Sequence, residues 1–133
     1  MAQICDFGIA RVIEENNEST TSKTASGEAV RYSAPELITK NDAPPTKESD
    51  AYSFGMLILE CITEKRPFHY LSRDAMVIHT RMDKKQSPPR PDGPAERNRV
   101  SEDLWGLMGR CWSLDPQDRP TMENIHSFFL NNQ

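Results

Sequence analysis

Apolar side chains recur at helical spacing in four stretches of this chain and are almost absent from one. From Ser49 onward, Phe54, Leu57, Ile58, Cys61 and Ile62 fall three or four residues apart along one helical face. Tyr52, Met56 and Leu59 carry the apolar character beyond that stripe, which predicts a helix buried in the middle of a domain. Pro67 is its expected stop, because proline has no N–H to give the ladder. A weaker helix is expected over about Ser72 to Met82, with Ser72 as cap and Ala75, Ile78 and Met82 along its face. Residues 88–94 hold four prolines and Gly93 and predict a connecting loop. Ser101 then caps a helix carrying Leu104, Leu107, Met108 and Cys111, with Trp105 and Trp112 adding bulk. The last helix starts near Pro120 or Thr121 and uses Met122, Ile125, Phe128 and Phe129.

The N-terminal part reads differently. Residues 1–5 are short and mildly apolar, which suits one strand, and the Asp6-Phe7-Gly8 that follows carries a turn signal. Residues 14–26 have no periodicity and almost no apolar side chain, so nothing there offsets the entropy of ordering, and a mobile loop is expected.

Composition narrows the function classes. A chain of 133 residues with 36% apolar residues can pack a core and fits one domain or part of one. A net charge of -4, with basic residues scattered singly and in pairs, offers no footprint for a nucleic-acid backbone or an anionic membrane. No apolar run approaches the roughly 20 residues of a membrane span, and a cytoplasmic, intracellular protein is expected. Cys5, Cys61 and Cys111 are odd in number and far apart, and read as reduced thiols acting as small buried hydrophobes. His69, His79 and His126 show no ligand spacing with them, so no metal site is expected there.

Four motifs remain. Asp6-Phe7-Gly8 alone could be an ordinary turn, but Ala34-Pro35-Glu36 follows after 25 polar, Ser/Thr-rich residues. Ser49-Asp50-Ala51-Tyr52-Ser53-Phe54-Gly55 opens the apolar helix with an acid, which either needs buried donors or is simply favoured by the helix dipole. Cys111-Trp112-Ser113-Leu114-Asp115-Pro116-Gln117-Asp118-Arg119-Pro120-Thr121 is the longest. In this order and spacing they cover essentially all of residues 4–130, and the chain resembles the C-terminal lobe of a eukaryotic protein kinase domain, on the side of the tyrosine-kinase-like group.

The resemblance implies a mainly α, incomplete lobe with one short N-terminal strand and an activation loop, residues 6–36 forming the activation segment and 37–130 the helical subdomain. It implies that Asp6, with Phe7 and Gly8, serves Mg²⁺ and ATP in a complete parent, Asp6 as the metal ligand. Asp50 would accept backbone hydrogen bonds from the catalytic loop, and Glu36 would pair with Arg119 as a buried ion pair. Ser19, Thr20, Thr21, Ser22, Thr24 and Ser26 are candidate phosphoacceptors, because phosphate there can order the loop through new Arg contacts. Plain solubilising residues are the alternative for each.

The chain also departs from the family pattern. The glycine-rich loop, the strand Lys, its helix Glu partner and the catalytic-loop Asp all precede such an Asp-Phe-Gly motif, so the catalytic base is expected outside this chain, with Met1 an internal methionine or the edge of a partial gene model. Ala29 stands five residues before Ala34, where serine/threonine kinases usually place a Thr, leaving acceptor specificity open; Arg31-Tyr32 leans towards the tyrosine-kinase-like group, mostly Ser/Thr enzymes. The implied function is phosphoryl transfer to a protein substrate by the parent, with neither activity nor cofactor expected of this chain alone. The alternative is a non-catalytic pseudokinase remnant that binds other kinases or scaffolds. In the family the helix from Asp50 to Ile62 packs against a long helix that precedes the catalytic loop, so in this chain alone one flank of Phe54, Leu57, Ile58 and Ile62 is expected to face solvent.

Overall fold

A computed structural model of the chain describes residues 27–39 and 43–132. A 3-10 turn, Gly27–Arg31, leads to α1 (Pro35–Thr39), the long α2 (Lys47–Thr63), α3 (Asp74–Met82), the short α4 (Pro94–Arg97) and α5 (Glu102–Cys111). A second 3-10 turn, Pro116–Asp118, precedes α6 (Met122–Asn131). The described residues form the expected mainly α architecture, while the expected strand, Asp6-Phe7-Gly8, Cys5 and the Ser/Thr-rich loop lie outside them.

Local chemistry fixes α2 at both ends. Thr46 Oγ1 accepts from the Ser49 amide at 3.1 Å while Ser49 Oγ accepts from the Thr46 amide at 2.9 Å, a reciprocal cap for two orphan donors. The helix stops at Glu64, which takes a left-handed φ of 56° and donates its amide to the Glu60 carbonyl at 2.7 Å. The stop therefore comes before Pro67, which with Phe68 is buried in the connection to α3.

The core lies chiefly between α2 and α5. Ser101 caps α5 through the Leu104 amide, and Leu107, Met108 and Cys111 are buried as the spacing predicts. Gly55 sets the helix separation: a Cβ there would lie 2.6 Å from the Cys111 Cβ and 2.8 Å from the Trp112 Nε1. Trp105 and Trp112 meet edge to face, ring centroids 5.5 Å apart.

Three expected helical faces are corrected. On α2 the buried side is Ser49, Ala51, Tyr52, Gly55, Met56, Ile58 and Leu59, whereas Leu57 is 47% exposed and Cys61 exposed. The solvent-facing flank therefore contains Leu57, with Phe54 and Ile62 half-buried, but Ile58 belongs to the core. A helix apolar almost all round has no single stripe, and its packing side is marked by small residues that let a neighbour approach. On α3, Ala75 and Ile78 are exposed and Met82 half-buried, while Val77, Thr80 and Arg81 face inward against the Gly27–Arg31 turn; Ser72 makes no cap, the N-cap being Arg73. On α6, Thr121 caps with Asn124 and Ile125 is buried, but Met122 and Phe129 stay exposed.

Candidate functional site

The Gly27–Arg31 turn, the starts of α1 and α2, α3 and the turn before α6 meet around Tyr52. Arg119, held by the turn after Pro116–Asp118, has a fully buried side chain. Its Nη1 donates to Glu36 Oε1 at 2.7 Å and its Nη2 to Glu36 Oε2 at 2.8 Å, a bidentate pair that carries both directional bonds and charge compensation. Nη1 also donates to the Glu48 carbonyl at 3.0 Å and Nε to the Ser113 carbonyl at 2.9 Å, so every nitrogen of the fork is used. Glu36 at the start of α1 and Glu48 at the start of α2 are thereby tied to the C-terminal segment.

Tyr52 lies between two cations. The Arg119 guanidinium carbon is 5.0 Å from its ring centroid and that of Arg81 is 5.1 Å away. Burial pushes the Tyr52 phenol above its ordinary value, partly offset by the charge and hydrogen bond of Arg81 and the charge of Arg119. Tyr32 turns the other way and donates its hydroxyl to Glu60 Oε2 at 2.7 Å.

Asp50 sits in the first turn of α2, facing away from this cluster. Among the described residues its carboxylate has no hydrogen-bond partner, and partial burial pushes its carboxyl above the ordinary value. It borders an open hollow with Tyr32, Ser53, Phe54, Leu57 and Met122, so an acid rimmed by apolar side chains faces solvent there. A second cleft, of about 160 Å³, runs between Phe68, Tyr70 and the prolines Pro88, Pro89 and Pro91. Its Lys65 is paired with Glu96 at 3.0 Å.

Among the described residues no group of three or more His, Cys, Asp or Glu could hold a metal ion, and no helix is long and apolar enough to cross a membrane. Of the site residues expected from sequence, Glu36, Asp50 and Arg119 are described, and the structure brings Glu36 and Arg119 together while leaving Asp50 apart. Asp6, Phe7, Gly8, Ser19, Thr20, Thr21, Ser22, Thr24 and Ser26 lie outside the described residues. Cys61 corrects the reading of every thiol as a buried hydrophobe, since it is exposed. Burial raises the Cys111 thiol to about 11. Sequence reasoning took Arg31 only as a marker of the group and passed over Arg81, because a charged residue in a turn or on a short amphipathic helix reads as surface and nothing local marks it as buried.

Comparison with known proteins follows the same line. A family model described as protein tyrosine and serine/threonine kinase matches residues 1–129. The chain is 31% identical over 124 residues to the mouse (Mus musculus) ankyrin repeat and protein kinase domain-containing protein 1, covering 92% of this chain and 16% of that protein. It is 33% identical over 141 residues to the mouse (Mus musculus) proto-oncogene tyrosine-protein kinase ROS, covering 99% of this chain and 6% of that protein. The chain therefore spans only a small part of the length of these relatives.

Proposed function

The chain belongs to the protein tyrosine and serine/threonine kinase family, and from that premise we propose that it forms part of a domain that transfers the γ-phosphoryl group of ATP to protein hydroxyls. In this reading residues 6–36 are the activation segment, 37–130 the helical subdomain, and the tyrosine-kinase-like, mostly Ser/Thr-directed group the nearest home. The substrate is a protein, other kinases or scaffolds are further partners, and the chain itself works in the cytoplasm. Asp6 is the Mg²⁺ ligand, its carboxylate being the hard oxygen donor that this ion takes, and bound Mg²⁺ neutralises phosphate charge. Asp50, short of a partner among the described residues, is held by backbone donors of the complete domain, and Ser19, Thr20, Thr21, Ser22, Thr24 and Ser26 are the phosphoacceptor candidates of the loop.

The observation that carries this reading is the Glu36–Arg119 pair, which closes the segment ending at Ala34-Pro35-Glu36 against the last motif over 83 positions. It is tested by supplying the complete domain with Mg²⁺-ATP and a peptide library with Ser, Thr or Tyr at its centre. Phosphorylated peptide is expected, with Asp6→Ala reducing turnover drastically while the thermal melt barely moves. The 133-residue chain alone is expected to give none, because positioning and electrostatics supply most of this catalysis and the base and phosphate-covering loop lie elsewhere in such domains. No transfer by the complete domain, or transfer indifferent to Asp6→Ala, overturns the proposal.

A further inference from the structure

Arg31 and Arg81 are both buried, and each reaches into the segment that carries the other. Arg31, at the end of the Gly27–Arg31 turn, donates Nη1 to the carbonyls of Pro67 at 3.1 Å and Phe68 at 2.9 Å, and Nη2 to that of Leu71 at 2.8 Å. Asp74, at the start of α3, lies 3.3 Å from the same Nη2. Arg81, near the end of α3, reaches back and donates Nη1 to the Val30 carbonyl and Nη2 to the Ser33 carbonyl. Among the described residues no carboxylate pairs with Arg81; its guanidinium faces the rings of Tyr52 at 5.1 Å and Phe68 at 5.9 Å instead.

This arrangement is poorly explained as a device for stability alone. Two buried cations carry a desolvation cost that well-packed apolar side chains of similar volume would avoid. The Nε of each arginine has no partner in the described structure, so neither fork is fully satisfied. What the forks add is direction, because a planar guanidinium aimed at two carbonyls fixes the separation and orientation of those carbonyls, which a lysine ammonium does not. On one side they hold Val30 and Ser33, on the other a connection in which Phe68 takes a left-handed φ of 54° that a bulky side chain adopts only when its surroundings enforce it.

The stretch so held has a consequence for specificity. The Val30 and Ser33 carbonyls follow Ala29, whose own carbonyl accepts from the amides of Tyr32 at 3.1 Å and Ser33 at 3.0 Å. Ala29 occupies the position, five residues before Ala34, where the family pattern bears on the class of acceptor. We propose that Arg31 and Arg81 are positioning residues: a reciprocal clasp that sets the backbone path of residues 29–33 and thereby selects among acceptor hydroxyls. The inference rests on the phosphoryl-transfer reading above and deepens it.

The test uses Arg81→Lys and Arg31→Lys in the complete domain, since both keep the charge and lose the fork. With the Ser, Thr or Tyr peptide library, each is expected to raise KM for the preferred peptide about tenfold and to flatten the preference among acceptors, with kcat at saturating peptide and KM for ATP little changed. Hydrogen exchange is expected to quicken at the amides of Tyr32, Ser33 and Leu71 and to stay unchanged at Leu107 and Met108, which reports that the fold is kept. If kcat and both KM values worsen together, or exchange rises throughout, the arginines are merely structural and the proposal is overturned. Unchanged peptide KM and preference in an active domain overturns the clasp alone, whereas a wild-type domain that phosphorylates no peptide overturns the underlying reading with it.

Discussion

Arg119 and Glu36 share two parallel hydrogen bonds, 2.7 Å and 2.8 Å long, between residues 83 positions apart. The arginine side chain is fully buried and that of the glutamate is 19% exposed, so water replaces little of the bond if either partner is removed. Glu36→Ala leaves a buried cation uncompensated and is expected to cost about 3 kcal/mol. Arg119→Ala should cost a similar amount, and the double variant clearly less than the sum of the two. Urea unfolding of the three variants checks this through a double-mutant cycle, and full additivity would show that the pair has no coupling energy.

Gly55 is the point at which α2 touches α5, and its hydrogen is the only side chain that fits. A methyl group would sit 2.6 Å from the Cys111 Cβ, an atom fixed to its own helix, so the backbones must separate rather than a flexible tip swing aside. Gly55→Ala should therefore destabilise by about 1–3 kcal/mol, although alanine favours helices. Gly106, on the outer side of α5, has open space around it, and Gly106→Ala should stabilise slightly. Thermal melts of the two alanine variants are expected to move in opposite directions.

These two sites show what could be read from residues alone. The four longer helices followed from periodicity, whereas the one-turn α1 and α4 are too short to show it, and the Ser101 cap and the Leu107, Met108 and Cys111 face of α5 were legible because one stripe was apolar and the rest polar. The packing side of α2 was not, since hydrophobicity is nearly uniform around it and the informative residues, Ala51 and Gly55, are small rather than apolar. Glu36 and Arg119 could be paired from motif resemblance, whereas Arg31 and Arg81 could not: their partners are backbone carbonyls, which have no sequence signature.

The two described cysteines should react differently. Cys61 is exposed, while burial lifts the Cys111 thiol from an ordinary 9.0 to about 11, leaving about one thiolate in a thousand at pH 8. Alkylation of the native protein, mapped by mass spectrometry, is expected at Cys61 within minutes and at Cys111 only on unfolding. The same shift has a pH consequence. The folded state keeps the Cys111 proton that the unfolded chain releases, so this contribution to stability is intact below pH 9 and is lost as pH rises towards 11. Cys111→Ala should flatten the alkaline limb of the stability profile, and an unchanged slope would argue against the raised value.

The last prediction concerns the uncovered flank of α2. Leu57 is 47% exposed and Met122 42% exposed, and with half-buried Phe54 they border the hollow at Asp50. Scattered apolar residues on a surface are ordinary, but a set gathered around one hollow from α2 and the start of α6 is expected to favour association. Each large side chain left in water forgoes about 1.5–3 kcal/mol of burial, against a net stability of about 5–15 kcal/mol for a typical domain. The 133-residue chain should therefore be helical by far-UV dichroism, bind an apolar dye strongly and associate at micromolar concentration. Leu57→Lys is expected to weaken both dye binding and association without loss of helix, because Leu57 contributes little to the α2–α5 contact. A monomer that melts cooperatively above about 50 °C and ignores the dye would show that this flank needs no cover.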